Sequence, residues 1–436
     1  MLNRFFRFRD AGTTAGTEVI AGAVTFMTMA YIICVNPLIL SEAGIPRDAV
    51  TIATCLAAGA ATLLMGLATN YPFALAPGMG LNAFLAFGVV LGMQLPWQAA
   101  MGIVCVEGAI ILVLVLTNVR EWVMNAIPLN LKRAIGVGIG LFIAFIGLKS
   151  SGMVVANPAT LVAFGGITVP VLVSAAGLLL TAFLMARRIR GSLLIGILAT
   201  TAVAVLAGIA RLPESIISLP GAAQFATIGA AFDPRWFSLI FTPGMLAVIF
   251  TFLLTDFFDT MGTVVAVGGG AGFLDAQGRL PRLKSVLLVD SIAASIGGAF
   301  GCSSVTTYIE SAAGVSEGGR TGLTAVVVSL LFFLSVFFWP LVGMIPAAAT
   351  APALIIVGFL MMTIVRDIEW SNFTEAFPAF LTILTIPLTY SITKGIGYGF
   401  IAYVGINLLS GRAREIHPLM YLIAALFGLD FWLAGK

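Results

Sequence analysis

Three acidic residues lie in apolar segments that are long enough to cross a bilayer: Asp256, Asp259 and Glu310. A carboxylate near the membrane centre costs roughly 2.5–3.5 kcal/mol even on insertion scales, and such residues usually line a path for a substrate or a proton. Asp256 and Asp259 stand three residues apart, which predicts that they share one face of a helix. The pattern indicates a polar binding site halfway through a membrane.

The composition agrees with that interpretation. Of 436 residues, 60% are hydrophobic and 9% are charged, whereas soluble proteins carry about 25% charged residues. The chain is therefore predicted to be an integral membrane protein, and its net charge of +3 says nothing about nucleic acid, which we do not expect as a partner. The four Cys lack paired spacing and there is one His, so no metal site or disulfide framework is predicted. No signal-peptide cleavage pattern follows the N-terminal basic residues.

Apolar runs of about 20 residues are typical of transmembrane helices. Two further crossings are interrupted by Gly, Pro and polar residues, near 72–93 and 302–318. The predicted crossings number fourteen, namely these two and 19–40, 50–69, 97–117, 133–149, 169–186, 192–210, 241–266, 284–300, 321–340, 344–365, 375–391 and 393–410. This map puts most Lys and Arg residues on the side of the N-terminus, which the positive-inside rule makes cytoplasmic, and both termini are predicted there. The last apolar run, 419–433, is interpreted as an interfacial or packing helix.

The loop from Arg211 to Arg235 divides the map into seven spans and seven spans. Halves with an odd number of spans insert with opposite topology, as in inverted-repeat transporters. The interrupted crossings are the third member of each half. Non-helical backbone at that depth must line a cavity or be buried in protein, so the two interruptions predict the position of a transport site.

In the first half, Pro77, Gly78 and Gly80 delay helix formation within Tyr71 to Phe84. We expect a short extended piece at Phe73 to Leu75 and a half-helix from about Met79, with Asn82 in its first turn offering a donor and an acceptor. A half-helix directs free N–H groups into the protein centre. Packing glycines with a capping amide are the alternative interpretation.

In the second half, the Ser- and Thr-rich segment Ser303 to Tyr308 predicts another extended piece, followed by a half-helix from Ser311 to Gly314. Glu310 falls at the junction, where it either faces the ligand or merely caps the helix. Asp259 is the stronger candidate in its pair because it lies deeper on the map. Glu107 and Asp290 are interpreted as bonds between helices, and Asn36 as a partner for backbone groups freed before Pro37.

Four motifs taken together resemble a known family. They are AGAVTFMTMAYIICVNP (Ala21 to Pro37), ALAPGMGLNAF (Ala74 to Phe84), TDFFDTMGT (Thr255 to Thr263) and SSVTTYIESAAGVSEGGRTGL (Ser303 to Leu323). The family is that of the nucleobase–cation symporters, in its adenine/guanine/hypoxanthine permease branch, and the likeness covers nearly the whole chain.

The resemblance implies an all-α membrane protein of fourteen spans in a seven-plus-seven inverted repeat, with short β-strands breaking spans 3 and 10. It further implies a core domain that slides against a gate domain. The corresponding segments are core 17–117 and 238–340, gate 131–210 and 341–410, and a cytoplasmic C-terminal segment, 411–436.

The implied function is import of a purine nucleobase with a proton across the plasma membrane (the inner membrane in bacteria), by a homodimer without further cofactors. The family's acids fall on Asp259 and Glu310, its polar third-span residue on Asn82, and an aromatic position on Tyr308. The full set of predicted substrate-binding residues is Asp259, Glu310, Asn82, Ser311, Tyr308 and Phe26, and the candidates for proton coupling are Glu310, Asp259 and Asp256.

As a hypothesis, Asp259 and Glu310 accept N–H hydrogen bonds from the purine edge, while Asn82 or backbone amides donate a hydrogen bond to its carbonyl group. Desolvation favours the neutral form of at least one acid, which would then carry the proton. An aromatic residue could stack on the base; the candidates are Phe26, Phe73, Phe258 and Tyr308.

Two other functions compete with this hypothesis. Anion transporters of the sulfate and bicarbonate type share the architecture, but Asp259 and Glu310 would repel an anion. An intramembrane aspartyl protease also uses two acids, but the Gly-x-Gly-Asp context of such enzymes is absent. The sequence does not separate one purine from another.

Overall fold

The computed structural model describes residues 2–117, 126–213, 215–275 and 280–434. It is built almost entirely of helices. Their bounds are Leu2–Phe6, Ala15–Met29, Ile32–Glu42, Arg47–Thr69, Met79–Ala83, Trp97–Leu116, Leu129–Ser150, Val169–Ala186, Ser192–Leu206, Pro234–Ile240, Pro243–Gly270, Leu283–Phe300, Ser311–Ser316, Gly322–Ser335, Trp339–Gly343, Ala347–Met362, Phe373–Thr389, Ile392–Leu409 and Pro418–Ala434, with a π-helix at Phe84–Leu91. The strands are β1 (Leu75–Pro77), β2 (Val154–Asn157), β3 (Leu161–Phe164) and β4 (Val305–Thr307).

Among the described residues, 10 helical segments are long and apolar enough to cross a membrane. They coincide with ten of the predicted spans. The other four predicted spans hold shorter or interrupted helices: 72–93, 192–210, 302–318 and 375–391. The chain is thus a multi-pass membrane protein, while the count of fourteen crossings and the inverted repeat stay predictions.

The two interrupted crossings meet in an antiparallel pair of strands. In β1 and β4, Leu75 faces Thr307 and Pro77 faces Val305. The pairing is extended by hydrogen bonds from Gly78 N to Ser304 O (2.9 Å) and from Tyr308 N to Ala74 O (2.9 Å). Strand β1 lies two residues later than the extended piece predicted at Phe73 to Leu75.

Both outer edges of this small sheet are covered by side chains. The Thr62 hydroxyl accepts from Leu75 N (2.9 Å) and donates to Leu75 O (3.0 Å). On the other edge, Thr307 N donates to Asp290 Oδ1 (3.0 Å). An unsatisfied backbone group at membrane depth costs several kcal/mol, so these side chains allow a two-stranded sheet to exist there. The half-helices Met79–Ala83 and Ser311–Ser316 begin soon after each strand, near the predicted starts.

The first predicted span is two helices instead of one. The helix Ala15–Met29 ends before Tyr31, and Ile32–Glu42 follows with Pro37 inside it. Pro37 cannot donate the usual backbone bond. The interpretation of Asn36 as a partner for backbone groups of its own span is wrong, because its Nδ2 donates to Thr54 Oγ1 (2.9 Å) and Cys302 O (3.1 Å).

A second hairpin, formed by β2 and β3, departs from the all-α prediction. Its turn is held by Asn157 Oδ1, which accepts from Ala159 N (2.8 Å) and Thr160 N (3.2 Å). Asn commonly stabilises turns in this way. The segment joins the fifth and sixth predicted spans and is too short for its alternation to stand out from the apolar sequence around it.

The helices pack in two groups. One group brings Ala15–Met29, Arg47–Thr69, Trp97–Leu116, Leu283–Phe300 and Gly322–Ser335 together. The other consists of Leu129–Ser150, Val169–Ala186, Ser192–Leu206, Ala347–Met362, Phe373–Thr389 and Ile392–Leu409. These groups fall within the predicted core and gate segments, whose motion against each other stays a prediction. The C-terminal helix packs through Phe427 on Phe400, with ring centroids 5.9 Å apart.

Helix contacts in the first group depend on glycine. A Cβ atom added to Gly322 would lie 1.9 Å from the carbonyl oxygen of Gly66. The two backbones therefore approach as closely as in the small-residue interfaces common among membrane helices.

We predict that Gly322→Ala destabilises the protein by about 1–3 kcal/mol, because the added methyl group forces Gly322–Ser335 away from Arg47–Thr69. The melting temperature of the purified protein in detergent measures this. Gly405→Ala is the matched control, since an added Cβ there meets nothing within 4 Å. Equal melting temperatures for the two variants would contradict the proposed close packing.

Candidate functional site

Asp259 lies on an accessible stripe of the helix Pro243–Gly270. The stripe runs along one face from Asp259 through Gly262 and Val265 to Gly269, all exposed. The half-helix Ser311–Ser316, which contacts this helix, exposes Ala312 and Ser316. The carboxyl group of Asp259 is therefore reachable from the end of the molecule at which this helix finishes.

The other half of the same helix is closed. From Met245 to Phe257 every residue is buried except Leu246, which is exposed, and Phe250, which is partly buried. Asp256 belongs to this buried part, with 1% of its surface exposed. Residues three apart are neighbours on a helix surface, and the two acids differ in exposure because Asp256 belongs to the buried part while Asp259 lies on the exposed stripe. The exposed positions of this helix near the acids are therefore concentrated in its C-terminal half.

Glu310 immediately precedes its half-helix but does not cap it. Its side chain makes no capping bond to the helix N-terminus. Instead its Oε1 accepts a hydrogen bond from the Tyr31 hydroxyl (2.8 Å). The break between Met29 and Ile32 places Tyr31 at this depth. The carboxylate is held from across the site and remains partly exposed.

The structure brings the two predicted acids together. Asp259 and Glu310 interact electrostatically with each other. The phenols of Tyr31 and Tyr308 are each within electrostatic range of both carboxyl groups. Two acids and two phenols from three separate segments therefore lie within electrostatic range of one another.

Asn82 and Tyr308 converge on the end of strand β1. The Tyr308 hydroxyl donates to Pro77 O (2.5 Å), and Asn82 Nδ2 donates to the same oxygen (3.4 Å). Asn82 is fully buried, and its Oδ1 has no hydrogen-bond partner among the described residues. That oxygen is an open acceptor. The backbone hydrogen bond from Tyr308 N to Ala74 O fixes the ring beside it.

The Ser311 side chain makes a hydrogen bond that connects two parts of the fold. Its Oγ accepts from Ala74 N (2.9 Å), which ties the second half-helix to the residue before strand β1. The side chain is fully buried. Its predicted contact with a substrate remains a prediction.

Asp290 locks the Asp259 helix to strand β4. Its Oδ2 accepts from Thr260 Oγ1 (2.6 Å), and its Oδ1 accepts from Thr307 N (3.0 Å) and Thr307 Oγ1 (2.9 Å). Thr260 also bonds Thr306, with the hydroxyl oxygens 2.8 Å apart. These bonds between elements agree with the interpretation of Asp290 as a structural acid. They fix the distance between the segments that carry Asp259 and Glu310.

The aromatic candidates lie in different environments. Phe26 packs edge-to-face on Phe332 (centroids 5.2 Å apart) and lines an apolar cavity of about 670 Å³ with residues such as Cys34 and Leu194. None of the predicted polar site residues lines that cavity. Phe73 is fully buried, and the side chain of Phe258 lies outside the described part of the structure. Tyr308 is the candidate that the structure places beside the acids.

Sequence reasoning missed Tyr31, Thr260 and Thr307 as site-forming residues. Tyr31 is a polar ring in an otherwise apolar span, six residues before Pro37. That proline signals a disturbed helix, but only the fold shows that Tyr31 meets Glu310. Thr260 and Thr307 carried no signal that distinguished them from other helix or strand threonines.

The arrangement suits hydrogen bonding to a small polar ligand. Its carboxylates accept N–H groups, and its hydroxyls donate or accept. Among the described residues, no group of three or more His, Cys, Asp or Glu side chains could hold a metal ion.

Comparison with known proteins identifies the family to which the chain is similar. A family model described as "Permease family" (Xan_ur_permease) matches residues 16–397. The adenine permease AdeP of Escherichia coli is 45% identical to the chain, covering 98% of it and 95% of AdeP. The guanine/hypoxanthine permease PbuO of Bacillus subtilis is also 45% identical, covering 98% of the chain and 100% of PbuO. The putative permease MJ0326 of Methanocaldococcus jannaschii is 47% identical over 100% of the chain and 99% of its own length.

Solved structures show the same fold at low sequence identity. The transmembrane domain of the cyanobacterial bicarbonate transporter BicA aligns with a TM-score of 0.65 at 15% identity, covering 89% of the chain and 97% of that domain. The murine anion transporter Slc26a9 aligns with a TM-score of 0.63 at 10% identity, covering 90% of the chain and 68% of that protein. At these identities the likeness concerns the fold alone.

We predict that Asp290→Ala strongly destabilises the protein. The change leaves the Thr260 hydroxyl and both Thr307 donors without their acceptor, at about 1–3 kcal/mol for each buried donor left unpaired. The melting temperature in detergent should fall by far more than for Asp367→Ala, which removes only a solvent-exposed ion pair with Arg366. Similar values for the two variants would refute the locking role of Asp290.

Proposed function

The chain belongs to this permease family, whose members are transporters rather than enzymes, and from that premise we propose that it carries purine nucleobases through the site around Asp259 and Glu310. The relatives' names supply the substrate class, which is adenine in one case and guanine or hypoxanthine in another. The observation that carries the proposal for the site is the convergence of two acids on one accessible space.

Recognition rests on hydrogen bonds to the edge of the base. Asp259 and Glu310 accept its N–H groups, and such charge-assisted bonds contribute about 1.5–3 kcal/mol each. In its present orientation Asn82 offers its open oxygen, an acceptor. Rotation of the side-chain amide would present the NH₂ group to a purine carbonyl instead. Tyr308 supplies the aromatic face against which the ring stacks.

Uptake is coupled to a proton, in this proposal. Two neighbouring carboxyl groups repel each other when both are ionised. Protonation of one acid removes this repulsion while the ionised acid accepts the N–H bond of the base, so occupancy by the base and protonation of that neighbour favour each other. Protonation on one side promotes loading, and deprotonation on the other promotes release. The protein acts in the plasma membrane, which is the inner membrane in bacteria, with both termini in the cytoplasm, and as a homodimer.

Access alternates as the core group of helices moves against the gate group. Three observations support this. The exposed positions near the acids lie along the stripe from Asp259 to Gly269. The helices pack as two groups. An ion pair between Arg190 and Glu317 joins the gate segment 131–210 to the core segment 238–340, and it would have to break when the two groups separate.

Anion transport is the second candidate, since BicA and Slc26a9 share the fold. Its weakness is the chemistry of the site. Asp259 and Glu310 present negative charge or neutral acid at the centre, and like charges at short range repel an anionic ligand. Excess sulfate or bicarbonate should therefore leave hypoxanthine uptake unchanged, whereas unlabelled purines compete and uracil competes less.

We predict that Glu310→Ala reduces uptake of radiolabelled hypoxanthine to background in cells that lack their own purine uptake. The change removes an acceptor for the base and the partner of Tyr31. Immunoblotting of membranes and the melting temperature of the purified variant check that it folds. Glu369→Gln, at an exposed carboxylate, is the control with normal uptake. Robust uptake by folded Glu310→Ala would refute the assigned site.

We further predict that Tyr31→Phe lowers uptake efficiency (Vmax/KM) by roughly 10-fold. A hydrogen bond to a charged group is worth about 1.5–3 kcal/mol, and 1.4 kcal/mol is a factor of ten. Tyr398→Phe also removes one hydroxyl, but from an exposed ring packed on Phe431, and should leave uptake unchanged. Equal efficiencies for the two variants would show that Tyr31 does not hold Glu310 for transport.

A further inference from the structure

Glu107 is a fully buried acid that the proposed substrate site does not use. It lies midway along the helix Trp97–Leu116 with 0% of its surface exposed. Neither carboxyl oxygen has a hydrogen-bond partner among the described residues. Most buried polar atoms in native proteins are paired, and an orphan of this kind points to a bound ion or water that completes it.

Other unpaired oxygens lie on the segment beside it. The Ser304 hydroxyl is close enough to the Glu107 carboxyl group to act as a hydrogen-bond donor to it, although the bond falls short of ideal geometry. Ser303 and Ser304 are fully buried, and their hydroxyl oxygens are also without partners in the described structure. Ser303 has a positive φ of 75°, a conformation that side chains rarely adopt. Strain of that kind tends to occur at functional sites.

Among the described residues that surround Glu107, no cationic side chain pairs with it. Asp290, on the helix Leu283–Phe300, is within its electrostatic range. The helix Pro243–Gly270, which also contacts Trp97–Leu116, contributes only acids. Lys284 lies at one end, where it bonds Leu116 O (3.5 Å), and Arg235 is exposed and paired with Asp233. Cys105 is the remaining titratable neighbour on the same helix.

A carboxylate with a single hydroxyl donor in reach is too costly at this depth, where buried charges are neutralised, paired or bound to metals. We propose that Glu107 and the hydroxyls of Ser303 and Ser304 form a binding site for the coupling cation, separate from the base. The cation is monovalent: a proton on the carboxyl group, or Na⁺ held by the carboxylate and hydroxyl oxygens. The inference rests on the proposed transport function and relocates its coupling site from Asp259 and Glu310.

The position of the site explains how the cation would influence the substrate. Ser304 O accepts from Gly78 N and directly precedes strand β4. In β4, Thr306 and Thr307 bond Thr260 and Asp290, next to Asp259. Occupancy behind the strands therefore fixes the segment that carries Tyr308 and Glu310. Unwound segments between helices serve as ion sites in other transporters.

The test uses the full-length protein in liposomes with radiolabelled hypoxanthine. One arm imposes an inward pH gradient without Na⁺, and the other imposes an inward Na⁺ gradient at equal pH. For the unaltered protein, one of the two gradients should accelerate uptake, and the gradient that does so identifies the cation. Glu107→Gln should lose that acceleration while its Kd for hypoxanthine stays within roughly 3-fold, and Glu369→Gln should behave like the unaltered protein.

Unchanged gradient responses in Glu107→Gln would overturn the inference, as would an unaltered protein that neither gradient accelerates. Failure of the unaltered protein to bind hypoxanthine would instead refute the proposed function. If Glu107→Gln does not fold, the same uptake measurement is made with the Ser304→Ala variant. Loss of one hydrogen-bonding group should change the half-saturating cation concentration roughly 3- to 10-fold. It should rise for Na⁺, which loses a ligand, and fall for H⁺, because the ionised form loses a donor. An unchanged value would overturn the inference.

Discussion

The site depends on satisfying backbone groups where no water is available. Strand β1 needs a partner at membrane depth, and strand β4, more than two hundred residues later, is that partner. The outer edges are closed by Thr62 and by Asp290. Because an unpaired peptide group there costs several kcal/mol, the register is fixed. Everything functional is placed relative to this sheet: Asn82 follows one strand, and Glu310 follows the other.

The same constraint accounts for the rigidity of the surrounding helices. Asp290 joins the Asp259 helix to β4, and Gly66 and Gly322 allow two helix backbones to touch. The Asp290 carboxylate accepts three hydrogen bonds, and the contact between Gly66 and Gly322 involves backbone atoms alone. Both features leave the connected segments little room to move independently. In the proposed transport cycle, the acids on separate segments would therefore keep their spacing while the group of helices moves as a body.

Much of this was accessible from sequence, for identifiable reasons. Membrane spans are visible because apolar length is a strong signal, and the interruptions at Pro77 and Ser303 marked the strands within two residues. The family motifs located Asp259 and Glu310. The Tyr31 contact was not predictable, because it joins residues 279 apart through a helix break that no local signal places. The opposite burial of Asp256 and Asp259 was also missed, since helical spacing gives an angle between side chains but not the direction of the cavity.

The exposed position of Asp259 has an electrical consequence. Water that enters the open stripe carries the potential of that compartment inward as far as the carboxyl groups. The transmembrane voltage then falls mainly across the closed half of the helix, from Met245 to Phe257. In the proposed transport cycle, each elementary charge that crosses this insulating layer gains or loses roughly 2.3 kcal/mol per 100 mV, so a membrane potential would act on a short barrier and not on the full thickness of the bilayer.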